Sequence, residues 1–304
     1  MALNLERAHP PNTCQYTAHS SRGDYLVQIA WPLRWGEDRN PPESDSADIS
    51  TIYLVDGNAY FFTAVDIVRR LEFTHNTRAV VVGVGYPPSK IVYDRRRGPD
   101  LTPSTADGKF EMPLDRHGNP RTDLSFGEAD IFLDFIQNDV MKYVHETLFP
   151  QVSLNTHRKA LFGHSYGGIF ALNALYTKPA LFDTFIAASP NICWNNSSLV
   201  KEQEAAFLAR EHPVNLAPAL LITWGSGPQD LVRGEEESEV DFEKRISHAE
   251  LRTTRDSATA LVARMNSCAH IRSVLARDFP GEDHGSAAVT GLQFGIQKFL
   301  ADKF

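Results

Sequence analysis

The apolar positions of this chain change their period several times. Tyr25, Val27, Ile29 and Trp31 alternate with other residues, the pattern of a half-buried strand. After a polar loop containing Pro41-Pro42, the unbroken run Ile52-Tyr53-Leu54-Val55 predicts a buried strand ending at Asp56-Gly57. A helical period follows from Phe61 to Leu71, and Ala79 to Val84 (AVVVGV) reads as a central strand apolar on both faces. Ile131, Phe132, Phe135, Ile136, Val140, Val144 and Leu148 share one face of a predicted helix that Pro150 closes. Farther on, strands are expected at Lys159–Phe162, Phe182–Ala188, Ala219–Trp224 and Ile271–Phe279. Helices are expected at Ser165–Tyr176, Glu235–Met265 (with room for an interruption) and Val289–Phe299. Short β-branched runs alternating with amphipathic stretches predict an α/β architecture, with helices packed on a mostly parallel sheet.

Residues 86–127 break this rhythm. They carry prolines, glycines, the run Arg95-Arg96-Arg97 and scattered acids without a period, too long a stretch for an ordinary connection. They are expected to form a long loop or lid over an active site. A length of 304 residues allows one domain or two. With no repeat, no linker and nearly all the chain assigned to one sheet, a single domain spanning 1–304 is expected.

Composition narrows the function classes. Thirty basic against 38 acidic side chains give a formal charge of -8, which argues against binding a nucleic-acid backbone. No stretch is long and apolar enough to predict a membrane-spanning helix, and the polar start Met1–Asn12 has no signal-peptide core. The cysteines, Cys14, Cys193 and Cys268, are widely spaced and odd in number, which suits a reducing compartment and predicts a cytoplasmic protein. The overlapping sequons in Asn195-Asn196-Ser197-Ser198 carry no weight without export.

The candidate chemistry lies in Gly163-His164-Ser165-Tyr166-Gly167, a G-x-S-x-G sequence between an apolar strand and an Ala/Leu-rich helix. Glycine two residues either side of the serine is what a tight strand-to-helix turn demands, and Gly168 extends the small surface. This setting predicts an α/β-hydrolase fold, a mostly parallel central sheet flanked by helices on both faces, with Ser165 as nucleophile. A serine needs a base, and His284 is the only histidine beyond the last expected strand. His164 is read as structural, because neighbours in the turn do not aim at one proton. The oxyanion is expected to meet the backbone N–H groups of Tyr166 and Asn58, the latter in the turn Asp56-Gly57-Asn58; Asn58 could also be a simple helix N-cap. Gly83-x-Gly85 lacks the rest of a dinucleotide motif and is read as a turn, and no Cys or His pair has zinc spacing. Neither a metal nor any other cofactor is expected. Glu235-Glu236-Glu237 suits a helix N-terminus.

Together, Ile52–Phe61, Gly163–Gly168, Ala188-Ser189-Pro190 with Trp194, and Asp283-His284-Gly285-Ser286 resemble the esterase D superfamily. Tyr93–Pro103 narrows the likeness to its siderophore esterases, which include bacterial enterobactin esterases and fungal triacetylfusarinine C esterases. The likeness runs from about Tyr25 to the C-terminus. It implies hydrolysis of the ester bonds of a cyclic trilactone or hydroxamate siderophore, with iron as part of a small-molecule substrate. It also implies Ser165 and His284 in catalysis, Asn58 and Tyr166 at the oxyanion, and Arg97 and Trp194 beside the substrate. From the residues alone, the arginine run is equally a solvated loop, and Trp194 equally a core aromatic.

One position departs from that group, which carries a glutamate where this chain has Pro228. Asp230 is the nearest replacement, Glu235 lies farther on, and a Ser-His dyad is the remaining option. A carboxylesterase or thioesterase of small acyl groups, and a non-catalytic binding protein on the same fold, are the alternative readings.

Overall fold

The computed structural model describes residues 10–45, 49–113, 119–152, 154, 158–211, 214–227, 233, 237–243 and 254–301. Among these residues, eight strands form one sheet in the order β1-β2-β4-β3-β5-β6-β7-β8. They are β1 Thr13–Ser20, β2 Gly23–Ala30, β3 Ser50–Val55, β4 Ala79–Gly85, β5 Lys159–His164, β6 Thr184–Ala188, β7 Ala219–Gly225 and β8 Ser273–Phe279. The pairs β1–β2 and β2–β4 are antiparallel and all others parallel. Every residue of β3, β4 and β6 is buried, which is why these strands read as unbroken apolar runs.

Neighbouring residues of each central strand enter different cores. Ile52 and Leu54 of β3, with Phe162 of β5, pack under helix α1 (Gly57–His75) and the closing helix Ser286–Leu300. Tyr53, Val55 and Leu161 face the other side, under α3 (Ala129–Phe135) and α4 (Tyr166–Thr177). This is the α/β-hydrolase fold. The chain leaves β3 through α1 toward β4, but leaves β5 through α4 toward β6. These directions diverge between β3 and β5, and in open α/β sheets that switch point, at the carboxyl ends of the strands, is where ligands bind.

Several details differ from the sequence pattern. β1 has no strand pattern in the sequence, because TCQYTAHS is an edge strand with mostly polar, half-exposed positions. Ile131 is 54% exposed although placed on the buried face of its helix. The helix continues beyond Phe135 as wider turns over Ile136–Met141 and Val144–Leu148, so a strict 3.6 period fails there. Gly83 and Gly85 form no turn; they lie within β4, where their missing side chains admit the Phe61 ring and the Asn58 amide. Of the expected 235–265 helix, 239–243 and Thr254–Asn266 are helical; 235–236 and 244–253 lie outside the described residues. Among the described residues, no helix is long and apolar enough to cross a membrane.

Candidate active site

Ser165 sits between β5 and α4 with φ 59° and ψ −112°, a conformation that L-residues rarely adopt. Its neighbours make the turn possible. A Cβ on Gly163 would strike the carbonyl of Gly167, and one on Gly167 would come within 2.9 Å of Val55. A Cβ on Gly168 would lie 2.8 Å from the Pro190 backbone. The Ser165 N–H donates to the Ala188 carbonyl at 3.0 Å, tying the turn to the end of β6.

His284 follows β8, in the loop before the closing helix. Its ring lies 4.7 Å, centroid to centroid, from that of His164, the residue before the serine. The loop is held by its own helix end. Asp283 Oδ1 accepts from the Ser286 N–H at 2.6 Å, and Ser286 Oγ accepts from the Asp283 N–H at 3.0 Å. The backbone N–H of Ser286 also holds the Asp283 carboxyl below its usual range. Asp283, although adjacent to His284, is thus committed to capping.

Asp56, at φ 54°, ends β3 and starts α1, only 3% exposed. Gly57 then passes so close to β4 that a Cβ would sit 2.9 Å from the Gly83 backbone. Asn58 is not the N-cap; that position belongs to Asp56. The Asn58 side chain clamps Tyr86 instead, donating from Nδ2 to its carbonyl at 2.9 Å and accepting its N–H at 2.7 Å. This clamp fixes the backbone of the first turn of α1. Asn58 and Tyr166 both lie in the first turn of a helix, where backbone N–H groups point out of the helix end.

Arg97 belongs to the short helix α2 (Arg97–Leu101) in the long loop. It grips Asp56 through Nε–Oδ1 at 3.2 Å and Nη2–Oδ2 at 3.0 Å, with the Tyr93 and Tyr166 rings 4.8 and 5.2 Å away. Burial opposes its charge and Asp56 supports it, with a net upward shift. The other arginines are matched as well. Arg95 faces Asp123 at 3.4 Å, and Arg96 faces Asp94 at 3.6 Å while covering the Tyr25 and Tyr86 rings.

Trp194 is 7% exposed and packs against Phe110, Phe126 and Tyr166, so core aromatic and site neighbour are one role here. Among the described residues, its buried indole Nε1 has no hydrogen-bond partner. After it, Asn195, Asn196 and Ser197 all adopt left-handed conformations, and Asn195 bridges the long loop through the Glu111 N–H (2.7 Å) and the Lys109 carbonyl (3.3 Å). Asparagine tolerates that backbone. The Asn195-Asn196 pair is the signal in the sequence for this left-handed segment.

The structure thus brings Ser165, Tyr166, Asn58, Arg97, Trp194 and His284 to one end of the sheet. Asp230 and Pro228 lie outside the described residues, as does Glu235. The three cysteines are free. Among the described residues, no group of three or more His, Cys, Asp or Glu side chains could hold a metal ion.

The Esterase family model matches residues 37–259. The siderophore triacetylfusarinine C esterase of Aspergillus fumigatus is 38% identical over 96% of this chain and 94% of its own. The siderophore enterobactin esterase of Emericella nidulans is 38% identical over 92% and 90%. Among solved structures, the siderophore hydrolase EstA from Aspergillus nidulans superposes with a TM-score of 0.86 at 34% identity, with each chain fully covered. The chain therefore belongs to the Esterase family, in its siderophore-esterase group, and is an ester hydrolase.

Proposed function

We propose that this esterase cleaves the ester bonds of an iron-chelating siderophore through an acyl-enzyme on Ser165. The observation that carries this reading is the Ser165 turn, a strained serine at a helix N-terminus with His284 folded against its neighbour. In this mechanism His284 takes the Ser165 proton as the hydroxyl attacks the ester carbonyl. The backbone N–H groups of Tyr166 and Asn58 stabilise the oxyanion. The protonated His284 then gives its proton to the departing alkoxide, and water, activated by the same imidazole, releases the acid.

Asp230 is the carboxylate assigned to His284. Support comes from the end of β7, where the Gly227 N–H donates to the Glu282 carbonyl at 2.8 Å and a Gly227 Cβ would lie 2.8 Å from Gly281. The chain that continues to Asp230 therefore starts against the loop carrying His284.

Residues 86–127 act as a lid in this reading, with Arg97, Trp194 and the rings of Tyr93, Phe110 and Phe126 beside the substrate. The pairing of Arg95, Arg96 and Arg97 with Asp123, Asp94 and Asp56 leaves little net positive field. That favours an uncharged ferric hydroxamate, of the fusarinine type, over a multiply anionic ferric catecholate trilactone. Cutting the ester links separates the chelating arms and lowers their effective concentration around iron. A reducing cytoplasm suits both the free cysteines and iron release.

Mass spectrometry of ferric and desferri ester-linked hydroxamates and catecholate trilactones tests this directly. The expected products are the hydrolysed monomers, faster from hydroxamates, and none from Ser165→Ala. Intact siderophores alongside rapid turnover of short p-nitrophenyl esters would make the chain a small-acyl carboxylesterase or thioesterase.

A further inference from the structure

A directional hydrogen-bond chain runs beneath the site. His164 Nε2 lies 2.8 Å from the backbone carbonyl oxygen of His284, which can only accept, so Nε2 carries the proton. His164 is 5% exposed, and burial together with the neighbouring His284 imidazole pushes its pKa down to about 3. Neutral and protonated on Nε2, the ring offers Nδ1 as an acceptor. The Tyr60 hydroxyl lies 3.0 Å from Nδ1 and donates to it. Having used its one proton, the Tyr60 oxygen accepts from the Tyr93 hydroxyl at 2.7 Å. Tyr60 is 3% exposed, whereas Tyr93 is 42% exposed and stands in the long loop. Three side chains thus connect that loop to the main chain of His284, each donating to the next.

We propose that His164 is a positioning residue that holds the His284 backbone in place for proton transfer from Ser165, and that Tyr60 and Tyr93 hold His164 in the required tautomer. The proposal rests on the assignment of Ser165 and His284 above, not on the identity of the ester. His164 takes no proton from the nucleophile; both of its ring nitrogens are engaged elsewhere. Its contribution is to fix where the His284 imidazole hangs, and a displacement of about 1 Å in such a group costs on the order of a hundredfold in rate. Tyr93 also lies against the Arg97 guanidinium at 4.8 Å. One loop therefore bears on the oxyanion side through Arg97–Asp56 and on the base through Tyr60–His164.

The test compares the wild-type enzyme with His164→Phe, His164→Gln, Tyr60→Phe and Tyr93→Phe. It measures the rate of Ser165 labelling by a fluorophosphonate, and kcat and KM for p-nitrophenyl acetate. Phenylalanine keeps a ring but loses both hydrogen bonds. Glutamine keeps a donor for the His284 carbonyl and an acceptor for Tyr60. His164→Phe is expected to slow labelling and kcat by about a hundredfold with KM little changed, and His164→Gln to return both to within about fivefold of wild type. Tyr60→Phe should fall between them, and Tyr93→Phe should change both rates by about threefold. Labelling of His164→Phe at the wild-type rate overturns the proposal, as does a His164→Gln enzyme no faster than the Phe variant. If His164→Phe does not fold, Tyr60→Phe decides, and wild-type labelling by that variant overturns the proposal. Siderophore turnover is a separate readout. A labelled wild type that leaves siderophores intact defeats the substrate reading, whereas equal labelling of wild type and His164→Phe defeats only the positioning role.

Discussion

The Arg97 guanidinium closes a two-point ion pair on the Asp56 carboxylate, at 3.2 and 3.0 Å, joining the long loop to the turn that starts α1. Asp56 is buried and sits in a left-handed conformation one residue before Gly57 and two before Asn58. Arg97 therefore ties the long loop to the turn that carries the Asn58 N–H.

Removing one partner of this pair leaves a buried charge uncompensated. Arg97→Ala should destabilise the protein by about 3 kcal/mol in urea unfolding. Arg97→Lys should recover only part of this, since an ammonium cannot match both carboxylate oxygens. Adding Asp56→Asn to Arg97→Ala should restore stability relative to the single variant. A single variant as stable as wild type would show that the pair holds nothing in place.

The strain at Ser165 separates stability from activity. Ser165→Gly removes the side chain from a positive-φ position and should raise stability by about 1 kcal/mol while abolishing turnover. Ser165→Ala should be equally inactive but no more stable than wild type. Equal unfolding midpoints for the Gly and Ala variants would mean that the turn carries no such strain.

Acid should weaken this fold before carboxylates titrate. Burial lowers His164 to about 3, and burial with the charge of Lys159 lowers His145 to about 4, both from 6.5. Below pH 6.5 the unfolded chain binds protons that the folded chain refuses, so stability is full above that value and falls as pH drops toward 3. His164 alone contributes a slope of about 1.4 kcal/mol per pH unit over most of that window. Urea midpoints between pH 7 and 4 should show the loss, and His164→Gln should flatten it. An unchanged slope in that variant would exclude His164 as the source.

Asp230→Asn tests the acid. If Asp230 orients His284, kcat should fall by about ten-thousandfold with little change in stability. Asp283→Ala should cost about 1 kcal/mol of stability through its helix cap and change kcat less than tenfold. Retention of kcat in Asp230→Asn would leave the catalytic pair without that carboxylate.

Trp194 presents a buried N–H with no acceptor among the described residues, inside a ring cluster that phenylalanine could also fill. Trp194→Phe should keep or slightly raise stability. A KM for siderophore raised about fivefold, with KM for a short ester unchanged, would assign that N–H to the substrate. Equal KM shifts for both esters would assign the residue to packing.

Much of this was legible along the chain. Ile52–Val55 and Ala79–Val84 announced central strands because residues buried on both faces must be apolar at every position. The spacing of Gly163, Ser165 and Gly167 announced the turn because a Cβ at the outer positions meets neighbouring backbone or side chain. β1 stayed hidden because an edge strand needs no such pattern. The Asn58 clamp on Tyr86 was equally invisible, since an amide before a helix looks like a cap until the partner strand is placed.

Local rules therefore determined the alternation of strands and helices, the serine turn and the candidate base beyond the last strand. Each depends on steric and solvation constraints acting within a few residues or on one face. What only the tertiary structure decided is which polar groups meet. Arg97 is committed to Asp56, and His164 lies between Tyr60 and the His284 carbonyl. Such partners lie tens of residues apart or point away from their own neighbours, and a hydrogen bond is fixed by distances and directions that exist only once the sheet has brought its strand ends together.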